Sequence, residues 1–295
     1  MLPCRTMELT IANISALVGI GLFAGLLGSM LGVGGGFIIV PVLTLALKLP
    51  MQVAVGSSLV AIVANSCTAA SAYLKTRMTN VRLGLLLETT TVPGAIIGAI
   101  AVTLLTSSTL GILFGIALLY VSYSMISHRP VITDSIASTS NSANSDDTST
   151  SFPSQSHNIY YDVSQHRSVT YEIKRIPSGL IASFLAGILS SMLGIGGGII
   201  KVPVMHSLMG IPIKVAIGTS SFMIAITTAA GALIYYRNGY VNPSIVTPLI
   251  VGVVGGALLG TSLAQKIKGA WLRRGFGGLL LVTAILMFLR AANVM

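Results

Sequence analysis

Ser29-Met30-Leu31-Gly32-Val33-Gly34-Gly35-Gly36-Phe37-Ile38-Ile39-Val40-Pro41-Val42 interrupts a long apolar region with a run of glycines. In hydrocarbon such an interruption leaves amide N–H and C=O groups without helical partners, which is tolerated only where the backbone packs in protein or lines a polar cavity. The stretch occurs twice: Ser191-Met192-Leu193-Gly194-Ile195-Gly196-Gly197-Gly198-Ile199-Ile200-Lys201-Val202-Pro203-Val204 repeats it with every glycine and the proline in register. The reading that follows is a duplicated broken helix facing a solute.

Working outward, the 295 residues are 53 % hydrophobic and 8 % charged, against about 25 % charged in a soluble domain. That composition describes a polytopic membrane protein. Its formal net charge of +10 does not indicate nucleic acid, because the basic residues stand singly or in small groups between apolar segments. Cys4 and Cys67 lie far apart, which points to neither a disulfide framework nor a cysteine metal site. The first apolar run has spanning length and is read as a retained helix.

Apolar segments predict helices near 11–31, 37–49, 52–74, 83–105 and 109–127, then near 177–195, 199–210, 213–236, 243–265 and 271–291. The short segments after the glycines carry Pro41 and Pro203 and read as crossings or as half-helices. Between them, 128–176 is rich in Ser, Thr, Asn and Asp and predicts a flexible polar linker. The expected organisation is thus a first membrane repeat over 1–127, the linker, and a second repeat over 177–295. A constant offset of 162 residues, from Gly32 to Gly194, also aligns Pro50–Ser58 with Pro212–Ser220, Tyr73 with Tyr235, and Gly94–Gly98 with Gly256–Gly260.

If connections alternate sides, twelve Lys and Arg residues collect on one side and four on the other, with Lys201 inside a segment. The first set marks the cytoplasmic side. Five or three crossings per half are both odd, so the halves are oppositely oriented, the linker is cytoplasmic and both termini lie outside. The fold expected is all-α and polytopic, with two inverted-topology repeats of about 5+5 segments.

On the paired Leu-Gly-Val/Ile-Gly-Gly-Gly motifs with their following Val-Pro-Val, and on the paired Ala-Val/Ile-Gly-Ser/Thr-Ser, the sequence resembles the TauE/SafE family of sulfite and organosulfonate exporters. The resemblance covers both apolar halves. It implies an all-helical inner-membrane permease that moves small sulfur-containing or related organic anions without hydrolysing nucleotide. Export, as opposed to import, is implied by the resemblance alone.

The residues permit their own reading. A half-helix starting after Gly34, Gly35 and Gly36, or after Gly196, Gly197 and Gly198, aims unpaired N–H groups and a positive dipole end into the membrane, a seat for an anion. Close helix packing through small residues is the alternative. Ser58 and Ser220 are equivalent, as are Asn65 and Thr227, seven residues further on in each copy. About two turns separate the members, so both face one way, toward oxyanion oxygens or toward another helix. Lys201 stands where the first copy has Ile39; a lysine within a span meets water, a partner or an anion, unless it snorkels to an interface. Glu88, beside Thr89, Thr90 and Thr91, reads first as an interfacial carboxylate near Arg82 and alternatively as a proton-coupling site. Pro41 and Pro203 would hinge each half-helix.

The sequence contains no Walker A, His-Glu-x-x-His or Gly-x-Ser-x-Gly pattern. No metal, cofactor or catalytic residue is expected. His206 reads as a hydrogen-bonded bundle residue. The leading expectation is a secondary permease for sulfite, sulfoacetate or a related sulfonate, in contact with the bilayer and compatible with a homodimer. The alternatives are transport of another small anion in either direction, an intramembrane enzyme with Ser58 or Ser220 as nucleophile, and a non-transporting partner subunit.

Overall fold

A computed structural model describes residues 11–127, 158–162, 167–171, 173, 175–264 and 283–287. The first half contains α1 (Ile11–Leu31), α2 (Gly36–Leu45), α3 (Met51–Lys75), α4 (Val81–Thr103) and α5 (Ser107–Ser127). The second contains α6 (Ile176–Leu193), α7 (Gly198–Pro203), α8 (Ile213–Arg237) and α9 (Pro243–Ala264). Between the halves stand β1 (Asn158–Asp162) and β2 (Arg167–Tyr171). Residues 283–287 are helical, and most of the helix expected over 271–291 lies outside the described residues.

Among the described residues, α1, α3, α4, α6, α8 and α9 are the six helices long and apolar enough to cross a membrane. Large apolar side chains such as Leu85, Ile97, Ile116, Leu233 and Val251 face outward, as a lipid-facing surface requires. By contrast α2 has ten residues; at about 1.5 Å per residue it covers about 15 Å, half of a hydrocarbon core of about 30 Å. It is a half-helix. Its counterpart α7 is shorter, and at Pro203 it passes into a π-helical turn over Val204–Leu208.

The helix starts follow from sequence. Pro50 and Pro212 precede α3 and α8 in equivalent positions, where a proline ends the preceding turn and costs the new helix no donor. Asn80 caps α4 by accepting from Leu83 N at 3.1 Å. The strands are a departure from the all-helical expectation. They form one antiparallel hairpin, Asn158 opposite Tyr171 and Asp162 opposite Arg167, inside the segment whose composition predicts flexibility. The segments Asn158-Ile-Tyr-Tyr-Asp162 and Arg167-Ser-Val-Thr-Tyr171 are locally rich in aromatic and β-branched residues, which suit a pleated pair.

Helix packing exchanges partners between the halves. Gly21 and Gly25 of α1 touch the backbone of α9 at Leu249 and Val253, while Gly94 and Gly98 of α4 touch α6 at Phe184 and Ile188. Small residues let these backbones approach directly. At the centre α3 and α8 run antiparallel: Gly56, near the start of α3, lies against the Tyr240 carbonyl beyond the end of α8, and Gly218 lies against the Met78 carbonyl beyond the end of α3. Two equivalent tyrosines tie each central helix to the end of its own first helix. Tyr73 Oη donates to Ser29 O at 2.9 Å, and Tyr235 Oη donates to Ser191 O at 2.8 Å.

Candidate functional site

Both glycine turns take one backbone path. Gly32, Gly34 and Gly35 have φ of 65°, 96° and 87°, and Gly194, Gly196 and Gly197 have 65°, 91° and 72°. These left-handed conformations exclude most side chains, which accounts for the glycines in each copy. The turns abut each other. A Cβ at Gly36 would collide with the Gly194 carbonyl, and one at Gly198 would collide with the Gly32 carbonyl. No side chain fits between the two backbones there.

The hydroxyls singled out in the sequence bind this layer crosswise. Ser58 Oγ of the first half donates to Gly194 O at 3.1 Å, and Ser220 Oγ of the second donates to Gly32 O at 2.9 Å. Each serine pins the opposite turn. Asn65 Nδ2 then donates to Gly34 O at 3.0 Å within its own half, so the first turn is held by backbone contacts. Pro41 sits inside a continuous α2, where Thr44 Oγ1 lies 2.9 Å from Val40 O and 3.0 Å from Pro41 O.

The second half departs from this pattern at Thr227, the equivalent of Asn65. Lys201, on the first turn of α7, donates from Nζ to Glu88 Oε1 at 3.0 Å and to Thr227 Oγ1 at 2.8 Å. Thr227 Oγ1 lies 2.8 and 2.9 Å from the two Glu88 oxygens, with Met223 O as a further acceptor at 3.0 Å. Lys201 is 2 % exposed and Glu88 4 %. Lys201 does not reach the protein surface, and the Glu88 carboxylate pairs with Lys201. Theirs is the one ion pair among the described residues. Removing two charges from water costs several kcal/mol per ion, and only mutual attraction with full hydrogen bonding offsets it. Two of the three ammonium donors have partners among the described residues.

Leu87, next to Glu88 in sequence, and Met223, whose carbonyl lies 3.0 Å from Thr227 Oγ1, belong to a buried apolar cluster that also contains Met205, Met209 and Tyr171. Tyr171 accepts a hydrogen bond from Asn80 Nδ2 at 3.0 Å; burial pushes its hydroxyl above the usual range, and that bond partly opposes the shift. A cavity of about 360 Å³ borders the second turn at Gly197 and Ser190, between α5 and α6, and is otherwise lined by apolar residues such as Leu113, Tyr120 and Ile200. Lys201 is not among its walls. His206 Nδ1 lies 2.9 Å from Ile211 O, a contact from the π-helical turn to the connection before α8.

Sequence reasoning singles out Lys201 and Glu88 separately and does not join them. The signal was present. Glu88 faces Ile250 in the other copy of the repeat and Lys201 faces Ile39, so two opposite charges each break the repeat once, in opposite halves. A pair of uncompensated singletons inside spans has each other as the nearest remedy.

Comparison with known proteins agrees with the architecture. The chain is 30 % identical over 262 residues to Probable membrane transporter protein YunE of Bacillus subtilis (strain 168), covering 85 % of this chain and 89 % of that one. It is 25 % identical over 289 residues to Probable membrane transporter protein MJ0441 of Methanocaldococcus jannaschii, covering 92 % and 94 %. No solved structure matches. The family described as Sulfite exporter TauE/SafE matches residues 17–287, a range that takes in both glycine turns, both central helices and the Lys201–Glu88 pair. A protein whose described residues include six helices long and apolar enough to cross a membrane, and whose relatives over nearly full length are named membrane transporters, therefore belongs to the TauE/SafE family and is a multi-pass membrane transporter.

Proposed function

We propose that the chain is a secondary permease that exports small sulfur-containing anions, such as sulfite, sulfoacetate or related sulfonates, by alternating access between two inverted repeats. The observation that carries this reading is a lysine buried to 2 % exposure in the short helix that follows the second glycine turn, because a cation is retained inside an apolar bundle only for a partner or a pathway. The antiparallel central helices, the crosswise serine pins and the exchanged helix contacts support the inverted plan. The short half-helices serve as the second segment of each 5+5 half.

In this reading the anion meets Lys201 and the Gly196–Gly198 turn, with Gly34–Gly36, Ser58, Ser220, Asn65 and Thr227 contributing once the abutting turns separate. Pro41 and Pro203 lie where each half-helix would bend, and the π-helical turn beyond Pro203 supports that assignment for the second copy. The protein lies in the inner membrane with its linker in the cytoplasm and both termini outside, and a homodimer suits its apolar outer face. Export is drawn from the family. For an anion that moves alone, an inside-negative potential favours it by about 2.3 kcal/mol per charge per 100 mV. The hydroxyls of Ser58 and Ser220 donate to glycine carbonyls, which speaks against either as a nucleophile.

Purified protein in liposomes tests the reading directly. Labelled sulfite or sulfoacetate should leave loaded vesicles, and Lys201→Ala should lose that flux while still eluting as folded protein. Absence of flux across a broad panel of small oxyanions removes the proposal.

A further inference from the structure

We propose that Glu88 is a tethered competitor for the transported anion: the anion reaches Lys201 by displacing the Glu88 carboxylate, which takes up one proton, so each monoanion travels with one proton in the same direction. This rests on the transport reading above and adds to it the identity of the coupling ion.

The starting point is charge. In the structure the Lys201 ammonium and the Glu88 carboxylate cancel each other at 3.0 Å, buried among apolar side chains. An anion added to that pair would leave one net negative charge in a low-dielectric interior, the arrangement a buried site resists most strongly. A proton on Glu88 restores neutrality, and the carboxylate is the group able to accept it. The protonated carboxyl then needs only a hydrogen-bond acceptor, and Thr227 Oγ1, 2.8–2.9 Å from both of its oxygens, supplies one. Lys201 is released to the anion with its third donor available. The proton comes from water on the side where the anion enters and returns to water where the anion leaves; no bond other than O–H forms or breaks.

The elements packed around Glu88 offer no rival partner. On α4 itself Arg82 stands at the exposed first turn. On α7 there is Lys201, and in the π-helical turn His206 faces the Ile211 carbonyl. Arg175 precedes α6, while Lys214 and Arg237 lie at the two ends of α8 with Tyr235 donating to Ser191. Tyr73 and Lys75 end α3, and Tyr171 of the hairpin is bonded to Asn80. Lys201 is the one charged group among the described residues within hydrogen-bond distance of the carboxylate. Comparison of the two repeats supports a dedicated role. At the equivalent places stand Ile39 and Asn65 in the first half and Ile250, the counterpart of Glu88, in the second, and the first turn is fastened by an amide that neither ionises nor competes with an anion.

The test uses the full-length protein and methanesulfonate, isethionate and sulfate as probes; the sulfonates keep one negative charge across the pH range. Binding of a sulfonate to the wild type should tighten about tenfold for each unit fall in pH between about pH 6 and pH 8, the slope of one linked proton. Adding it to weakly buffered protein should take up one proton per anion bound. Glu88→Gln should bind at the wild type's acid-side affinity with no slope, and Lys201→Met should bind at neither pH. If the wild type binds a sulfonate with no proton uptake, or Glu88→Gln keeps the slope, the competitor role is overturned and the transport reading stands. If the wild type binds none of the three probes at any pH and transports none, both fall. The proton-uptake measurement needs no variant, so poor folding of Glu88→Gln does not protect the proposal.

Discussion

The two glycine turns share a backbone path and differ in what fastens them. The first is held by uncharged contacts: Asn65 on Gly34, Ser220 on Gly32, and a regular α2 running through Pro41. The second keeps only the reciprocal serine, Ser58 on Gly194, and replaces the amide with the Lys201–Glu88–Thr227 triad ahead of a π-helical turn. An amide–carbonyl bond has one state, whereas an ion pair can be dissolved by a proton or a competing ion. The two copies thus differ in kind: the first turn is fastened by neutral bonds alone, and the second is followed by a buried ion pair.

The shared part of the comparison carries the largest expected effect. Gly36→Ala and Gly198→Ala should both prevent folding, by more than ~4 kcal/mol, since each new methyl meets a carbonyl of the opposite turn; size-exclusion profiles from membranes would check this, and an intact peak from either would break the symmetry argued here. Next comes the charged arm. Lys201→Met alone should cost ~3–5 kcal/mol in thermal denaturation because Glu88 is left buried without a partner, while Lys201→Met combined with Glu88→Leu should recover most of that loss. Additive losses in the double variant would mean that the pair is not isolated. Smaller effects belong to the neutral pins: Ser58→Ala and Ser220→Ala should each lower stability by about 1 kcal/mol and by equal amounts, as matched bonds predict. A clear inequality would show that one arm leans on its pin more than the other. Smallest is the hairpin contact. The neutral Tyr171 hydroxyl is favoured by burial, so its contribution is complete below its ordinary value near 10 and is lost as pH rises past it; alkaline melting curves of the wild type should fall more steeply than those of Tyr171→Phe.

Much of the frame was legible because it depends on local sequence. Span lengths follow from runs of apolar residues, the half-helices from glycine and proline spacing, and the repeat from a constant offset. The linker hairpin was not legible, since overall composition hid two short strand-forming segments in a polar stretch. The triad was not legible either, for a different reason. Glu88 and Lys201 are 113 residues apart and meet only because α4 leaves its own repeat to pack on α6 and α8. Glu88 therefore looked like a carboxylate near Arg82, its sequence neighbour, and Lys201 like a cation waiting for solute. Helical spacing puts Ser58 on one face with Asn65 and Ser220 on one face with Thr227; that each serine reaches across to the other turn follows only from the crossed packing.

The pairing of Lys201 with Glu88 bears on what such a carrier does when it is empty. A transporter whose site holds a bare buried cation must drag that charge through the membrane on its return and is therefore confined to swapping one anion for another. In the proposed function the site neutralises itself with its own carboxylate, so the unloaded protein would reset without a counter-substrate. Under the proposed coupling, the loaded and unloaded crossings carry no net charge for a monoanion. Net flux would then follow the solute and pH gradients and be indifferent to membrane voltage, a property that clamping the potential across proteoliposomes with potassium and valinomycin would reveal.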